Sequence, residues 1–290
     1  ISEGAFHSYE EKIDARKIRT RSESFSDHFS QPALFYRSLS EHEKEHVAEA
    51  YIFELGKCMH DHIKQRMLWL INQIDETLAQ KVSAGLGLDI PDDIVRPINQ
   101  AIGADEDVEK HQPGPRKNYL ESSPALSQAN TKFNTIASRQ IAVLAASGVD
   151  GISLDTMKKA LVKGGAVVKI ISLTGGSINS ASGKKKYIVD ASIKTTESVL
   201  YDAVYIPGGE ASVNTLMGEA KFIKFINETF KHCKAIATDG EGKKLLDISF
   251  AKKYLKDDAI HIDDDPKAFI ESLKKHRNWK RSKVAEKVPV

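Results

Sequence analysis

From Arg139 onward the chain alternates short apolar runs with amphipathic stretches, and this alternation restricts the fold more than any other feature of the sequence. "QIAVLAAS" is followed by "SLDTMKKALVKGG" and then by "AVVKIISL". In that β-α-β order a helix carries the chain back to the same end of the sheet, so the strands run parallel. Further strands are predicted at "KKYIVD", "AVYIPGG", "AIATDG" and "AIHID", with helices near residues 211–232, 241–246 and 266–276. The pair Gly164 and Gly165 is placed to stop the first of these helices, because glycine takes the left-handed conformation that a helix end uses. A doubly wound, mostly parallel sheet is expected over residues 139–290.

The first third of the chain has a different texture. Residues 1–30 are polar, rich in Arg, Ser and Glu, and lack a sustained period, so they are read as an extended arm. Helical signals begin at Pro32 and continue through Leu34, Phe35 and Tyr36. Ser40 with Glu43 three residues on has the form of a capping box, opening a helix that Gly56 closes. Ile63, Met67, Leu70, Ile71, Ile74, Leu78 and Val82 then fall on one stripe, which predicts a single helix ending at Gly85. A small helical domain over residues 31–95 follows. Residues 96–138 carry an acidic run and lie in a stretch from Pro91 that holds five of the nine prolines, which marks a linker.

With 290 residues at 41% hydrophobic, the chain exceeds the usual single domain. Its 42 basic and 40 acidic residues are interspersed and leave a net charge of +2, so neither nucleic acid nor an anionic membrane is an expected partner. Cys58 and Cys233 lie far apart, which fits two inert thiols in a reducing, cytoplasmic setting. No apolar run approaches the ~20 residues of a membrane span, and no signal-peptide pattern opens the chain.

The segment "KIRTRSESFSDHFSQPALFYRSLSEHEKEHVAEAYIFELGKC", residues 17–58, resembles the helical segment behind the haem barrel of haem catalases. The likeness extends to "GAFHSYEEKIDA" upstream and "LAQKVSAGLGL" downstream, and the second half resembles the domain that large-subunit catalases add behind it. The resemblance implies the C-terminal part of an enzyme that disproportionates hydrogen peroxide to water and oxygen. It also implies an α + α/β architecture whose second part is flavodoxin-like. The chain opens at Ile1 without a methionine, in the middle of the family's pattern, so a barrel is expected ahead of it. No distal histidine on a barrel strand and no Arg-x-x-x-Tyr run is found. This chain is therefore expected to bind no cofactor and to carry no catalytic residue, the haem belonging to the full-length parent. Its expected partners are the barrel domain and neighbouring subunits. The arm, with Arg16, Arg19 and Arg21, would order only against them. Phe35, Tyr36, Tyr51, Phe53 and Trp69 would supply exposed apolar surface, so without the barrel a homo-oligomer, a dimer first, is expected.

"YDAVYIPGGEASVNTL" has the form Asp-x-x-x-x-Pro-Gly-Gly at a strand end and resembles the class I glutamine-amidotransferase-like superfamily, in its PfpI branch. Pro207, Gly208 and Gly209 would line the crevice at the carboxyl end of the sheet. In that superfamily a nucleophilic cysteine stands on a strained turn after the next strand. The matching segment, "KAIATDGEGKKLL", puts Asp239 there, followed by Gly240, and Asp150 in "AASGVDGIS" takes the place of the partner acid. A carboxylate is a poor nucleophile toward amides, so the site is read as vestigial. Cys233, six residues earlier at the other end of the strand, does not replace the thiol. The alternatives are a binding or chaperone-like module, or a PfpI-type hydrolase, using the crevice at Pro207–Gly209.

Two histidine motifs invite metal. "HEKEH", His42 to His46, fits the zinc-protease spacing, yet it opens a polar helix in which Glu43 serves as the capping acid. "CMHDH", Cys58 to His62, is read as a cluster at a helix start. No metal site is expected at either.

Overall fold

The computed structural model describes residues 8–15, 22–94, 97–100, 102, 107–131 and 133–290. Arg16, Arg19 and Arg21 of the arm lie outside the described residues. The chain divides into two compact units, Ile1–Asn130 and Thr131–Val290.

The first unit is helical: α1 (Ser30–Ser38), α2 (Glu41–Gly56), α3 (Asp61–Ile74) and α4 (Glu76–Leu86). Its core joins Tyr36, Leu39, Ala48, Leu55, Leu68, Ile71, Leu78, Ala79 and Val82. The stripe from Ile63 to Val82, expected as one helix, is two. The break falls at Asp75, whose backbone is extended (φ −156°, ψ 124°) and whose carboxylate accepts from the Leu78 amide at 2.9 Å. An aspartate that can cap a new helix competes with continuing the old one, and hydrophobic period alone does not register that competition. The end also moves: α4 stops at Gly87, which is left-handed at φ 66°. Gly85 lies inside α4, where an added Cβ would sit 2.4 Å from Ile52 Cδ1, so this glycine lets α2 and α4 approach. Among the aromatics expected on the surface, Phe35 and Phe53 are exposed, whereas Tyr36 is core.

Ser40 and Glu43 do form the capping box. Glu43 Oε2 accepts from the Ser40 amide at 2.8 Å and from the hydroxyls of Ser40 and Ser127, each at 2.7 Å, and Oε1 accepts from the Ala129 amide at 3.1 Å. Residues read from sequence as linker thus bond to the helical unit. Arg116 does the same, donating to the carbonyl of Ile74 at 2.6 Å at the end of α3.

The second unit contains β1 (Gln140–Leu144), α5 (Gly151–Lys163), β2 (Val167–Ser172), β3 (Ser177–Asn179), β4 (Lys186–Ile188), β5 (Ala191–Ser192) and β6 (Ala203–Ile206). It continues with α6 (Glu210–Met217), α7 (Ala220–Lys231), β7 (Ala235–Thr238), α8 (Lys243–Asp247), β8 (Ile260–Ile262), α9 (Pro266–Lys275) and α10 (Ser282–Ala285). Six strands form one sheet in the order β5-β2-β1-β6-β7-β8, every pair parallel. Without the edge strand β5 this is the flavodoxin-like doubly wound order. Residues alternate between two cores, as a strand period of two requires. Ile141 and Val143 of β1 pack with Leu154, Met157 and Leu161 of α5 and Phe269 of α9. Ala142 and Leu144 face the other way, toward Val213 of α6, Phe222, Phe225 and Phe230 of α7, and Leu245 of α8.

Two expectations change in this unit. "KKYIVD" contributes β4 to a separate antiparallel pair with β3 rather than a strand to the main sheet. A short polar-flanked strand satisfies its backbone equally well in a hairpin, so the apolar count does not decide between them. The helix expected over 211–232 is α6 and α7, interrupted where Gly218 ends the first and the Glu219 carboxylate caps the second.

The capping carboxylate is a measurable part of the first unit's stability. Burial pushes the Glu43 carboxyl up, but hydrogen bonds from the Ser127 hydroxyl, the Ser40 amide and hydroxyl and the Ala129 amide outweigh it and bring it down to about 2. The folded state therefore binds its proton more weakly than the unfolded chain. This contribution is present above the ordinary value of 4.5 and is lost as pH falls toward about 2. Glu43→Ala is expected to cost about 2 kcal/mol at neutral pH and much less in acid, as urea denaturation at both conditions would reveal.

Candidate functional site

The carboxyl ends of β1, β6 and β7 lie side by side, at the switch point where a doubly wound sheet has its ligand crevice. Asp150 follows β1, Pro207, Gly208 and Gly209 follow β6, and Asp239 and Gly240 follow β7. The Asp150 amide donates to the Gly208 carbonyl at 2.8 Å, tying the first two ends together. At Gly209, with φ 109°, a Cβ would lie 2.3 Å from the Gly148 carbonyl oxygen and 2.6 Å from the Asp150 nitrogen. Only glycine allows that approach. Gly208 is buried against the third end, where a Cβ would meet the Asp239 carbonyl at 3.2 Å.

Asp239 is half-buried, and its Oδ2 accepts a short hydrogen bond from the Tyr205 hydroxyl, which also lies 3.2 Å from Ser153 Oγ. Burial pushes the Asp239 carboxyl up; the Tyr205 bond opposes this, and the charges of Asp263, Asp150 and Asp264 add to the rise. Burial, reinforced by the bond to Asp239, likewise pushes the Tyr205 phenol up. Tyr205 belongs to this site and was not singled out from the sequence. Its signal was available: a hydroxyl inside the wholly apolar strand "AVYI" needs a partner once buried.

The backbone at Asp239 is ordinary extended chain (φ −123°, ψ 146°), not the strained turn on which the superfamily presents its nucleophile. Left-handed φ appears one residue later, at Gly240 (φ 50°), whose amide donates to Asp263 Oδ1 at 2.6 Å. The Gly209 amide donates to Glu241 Oε2 at 2.8 Å. That bond, followed by one from its own backbone amide, holds the Glu241 carboxyl below its ordinary value. Asp150 is also engaged, its Oδ1 accepting from the Ile152 amide at 2.9 Å as the cap of α5. The Gly209 and Gly240 amides and the Asp150 and Asp239 carboxylates are thus each bonded within the chain itself.

Cys233 is buried, and burial pushes its thiol up, opposite to the activation a nucleophile needs. In "HEKEH", Glu43 is committed to the helix cap. His60 and His62 stack at 5.6 Å between ring centroids. Among the described residues no three His, Cys, Asp or Glu side chains are grouped to hold a metal ion. None of the helices formed by the described residues is long and apolar enough to cross a membrane.

Residues 137–283 match the family described as the C-terminal domain found in long catalases, and residues 22–86 match the catalase-related immune-responsive family. The chain belongs to the long-catalase family. It is similar to catalase HPII of Pseudomonas putida, with 37% identity over 292 residues, covering 99% of this chain and 38% of that protein. Catalase-B of Dictyostelium discoideum is 34% identical over 298 residues, covering 99% and 40%, and catalase-2 of Bacillus subtilis is 34% identical over 287 residues, covering 96% and 38%. The chain therefore spans roughly two fifths of the length of these long catalases.

Two substitutions probe the crevice of this long-catalase domain. Asp239→Cys is expected to give no turnover of amide or ester substrates, because the side chain stands on extended backbone beside Tyr205 rather than on an elbow; cysteine-dependent release of a chromogenic ester would contradict this. Asp239→Asn keeps an acceptor for Tyr205 and removes a carboxylate whose proton binding is strengthened by folding. A raised carboxyl contributes stability in acid that is lost as pH rises. The variant's melting temperature should therefore gain on the parent's more at neutral pH than in mild acid.

Proposed function

We propose that this chain is the C-terminal region of a large-subunit catalase whose whole protein disproportionates hydrogen peroxide to water and oxygen with a haem. In this reading the region supports the folding, stability and oligomer assembly of the enzyme and does no chemistry itself. The observation that carries the reading is the crevice at Pro207, Gly208 and Gly209. Its Gly209 amide is held by Glu241, and the position of the superfamily's nucleophile is an extended aspartate bonded to a buried tyrosine. A domain that keeps the glycine packing of an enzyme fold while using its polar groups internally is suited to a structural role. The six residues Asp150, Pro207, Gly208, Gly209, Asp239 and Gly240 are accordingly a vestigial site whose present task is to hold three strand ends together.

The exposed aromatic rings of Phe35 and Phe53 give the helical unit surface that a barrel domain or a neighbouring subunit would cover. The same surface favours self-association when this chain is studied alone, and a reducing intracellular compartment suits its two free thiols. Full-length enzyme should lose heat tolerance and assembly when Thr131–Val290 is deleted, while the surviving protein keeps its haem absorption. Loss of turnover with assembly and melting unchanged would refute the structural role. The chain by itself should show no Soret band after incubation with haem and no oxygen evolution from peroxide.

A further inference from the structure

The α/β unit has a second concave surface. It is an open groove of about 860 Å³ between α5, the edge of β2 and strand β4. Four lysines, Lys158, Lys159, Lys185 and Lys186, line it together with Asp155 and Asp190. Both acids are already paired: Asp155 with Lys185 at 2.5 Å and Asp190 with Lys169 at 3.4 Å. Lys158, Lys159 and Lys186 have no ion-pair partner among the described residues. Three ammonium groups without an ion-pair partner along one groove repel each other and favour an anionic occupant. Val162, Val168 and Ile188 add apolar lining, of which Ile188 is 79% and Val162 53% exposed.

The groove also borders an unfinished sheet edge. In β2 the Val167 amide donates to the Arg139 carbonyl and the Ile171 carbonyl accepts from Ala145, so the odd-numbered residues bond toward β1. Even-numbered residues bond outward, as Ile170 does in exchanging bonds with Asp190 through its amide and carbonyl. The edge strand β5 pairs only with Ile171 and Ser172. Val168 consequently turns its amide and carbonyl outward with no strand paired to it among the described residues. A polypeptide laid in extended form along β2 would find there a main-chain donor and acceptor, apolar contacts on one side and ammonium groups for its acids.

We infer that this groove is a docking site for an extended acidic peptide segment, one in which carboxylates alternate with small apolar side chains. Nucleic acid fits the surface less well. The one aromatic ring of the groove, Tyr187, is 6% exposed and carries the Lys185 ammonium 5.0 Å from its centroid, which leaves no face for a base to stack on. Lysines spaced along an open trough suit separate carboxylates, whereas a single phosphate is held by convergent donors in a closed site.

The test is fluorescence anisotropy of a labelled peptide of alternating glutamate and valine titrated with the full chain. Saturable binding that weakens as salt is raised is expected, together with slowed hydrogen exchange at the Val168 amide in the bound state. Replacing the three unpaired lysines together (Lys158→Glu, Lys159→Glu, Lys186→Glu) should weaken binding roughly tenfold or more, while the three arginine variants retain it. These side chains are on the surface, and a triple glutamine variant answers the same question if charge reversal perturbs folding. Equal binding of a glutamine–valine peptide, indifference to the lysine substitutions or unchanged exchange at Val168 would overturn the inference. Tighter lysine-dependent binding of single-stranded nucleic acid or tripolyphosphate would reassign the groove to those anions and overturn it as well.

Discussion

The α/β unit depends on one close backbone contact, the docking of the β6 end onto the β1 end. Gly209 passes the Gly148 carbonyl and the Asp150 amide at a distance that no side chain tolerates, and Gly208 offers its carbonyl to Asp150. In a parallel sheet every strand needs a crossover, and here two crossovers begin within this contact: α5 immediately after Asp150 and α6 immediately after Gly209. Fixing the two turns fixes where both helices start, and so which core each face of the sheet builds. The Asp239–Tyr205 bond extends the same clamp to the third strand end, at the cost of a half-buried carboxylate among other acids.

The glycine turns of the crevice serve contacts within the chain. The glycines that let a ligand approach the backbone also let the chain approach itself, and here the chain does so. Glu241 occupies the Gly209 amide, Asp263 the Gly240 amide, and Asp150 caps its own helix. Each bond removes a group from the set available to a substrate. The carboxylates Asp150, Asp239 and Glu241 stand at the crevice, while four lysines line the groove beside β2.

Much of the architecture was legible in the sequence because burial and period report directly on it. The runs "AVLAA", "AVYI" and "AIAT" read as strands buried on both faces, and "VKIIS" as a strand beside them. Ser40 and Glu43 announced their cap through side-chain chemistry within one helical turn. Pro207, Gly208 and Gly209 stood out because glycine and proline are local punctuation. Errors arose where a local competitor decided the outcome, as at Asp75, where a capping carboxylate divides a continuous apolar stripe, and at Gly218 and Glu219, where two stop and start signals stand side by side.

By itself the sequence determined the class of each segment, the family, and the absence of a thiol at position 239, since all three depend on which residue types follow one another. Tertiary structure decided what those residues do. That Tyr205 donates to Asp239, that Glu241 rather than a ligand satisfies Gly209, and that Val168 faces an unpaired edge between lysines of α5 and β4 are contacts between residues distant along the chain. Such contacts depend on strand order, and strand order is fixed by the packing of both sheet faces at once, which no window of sequence contains.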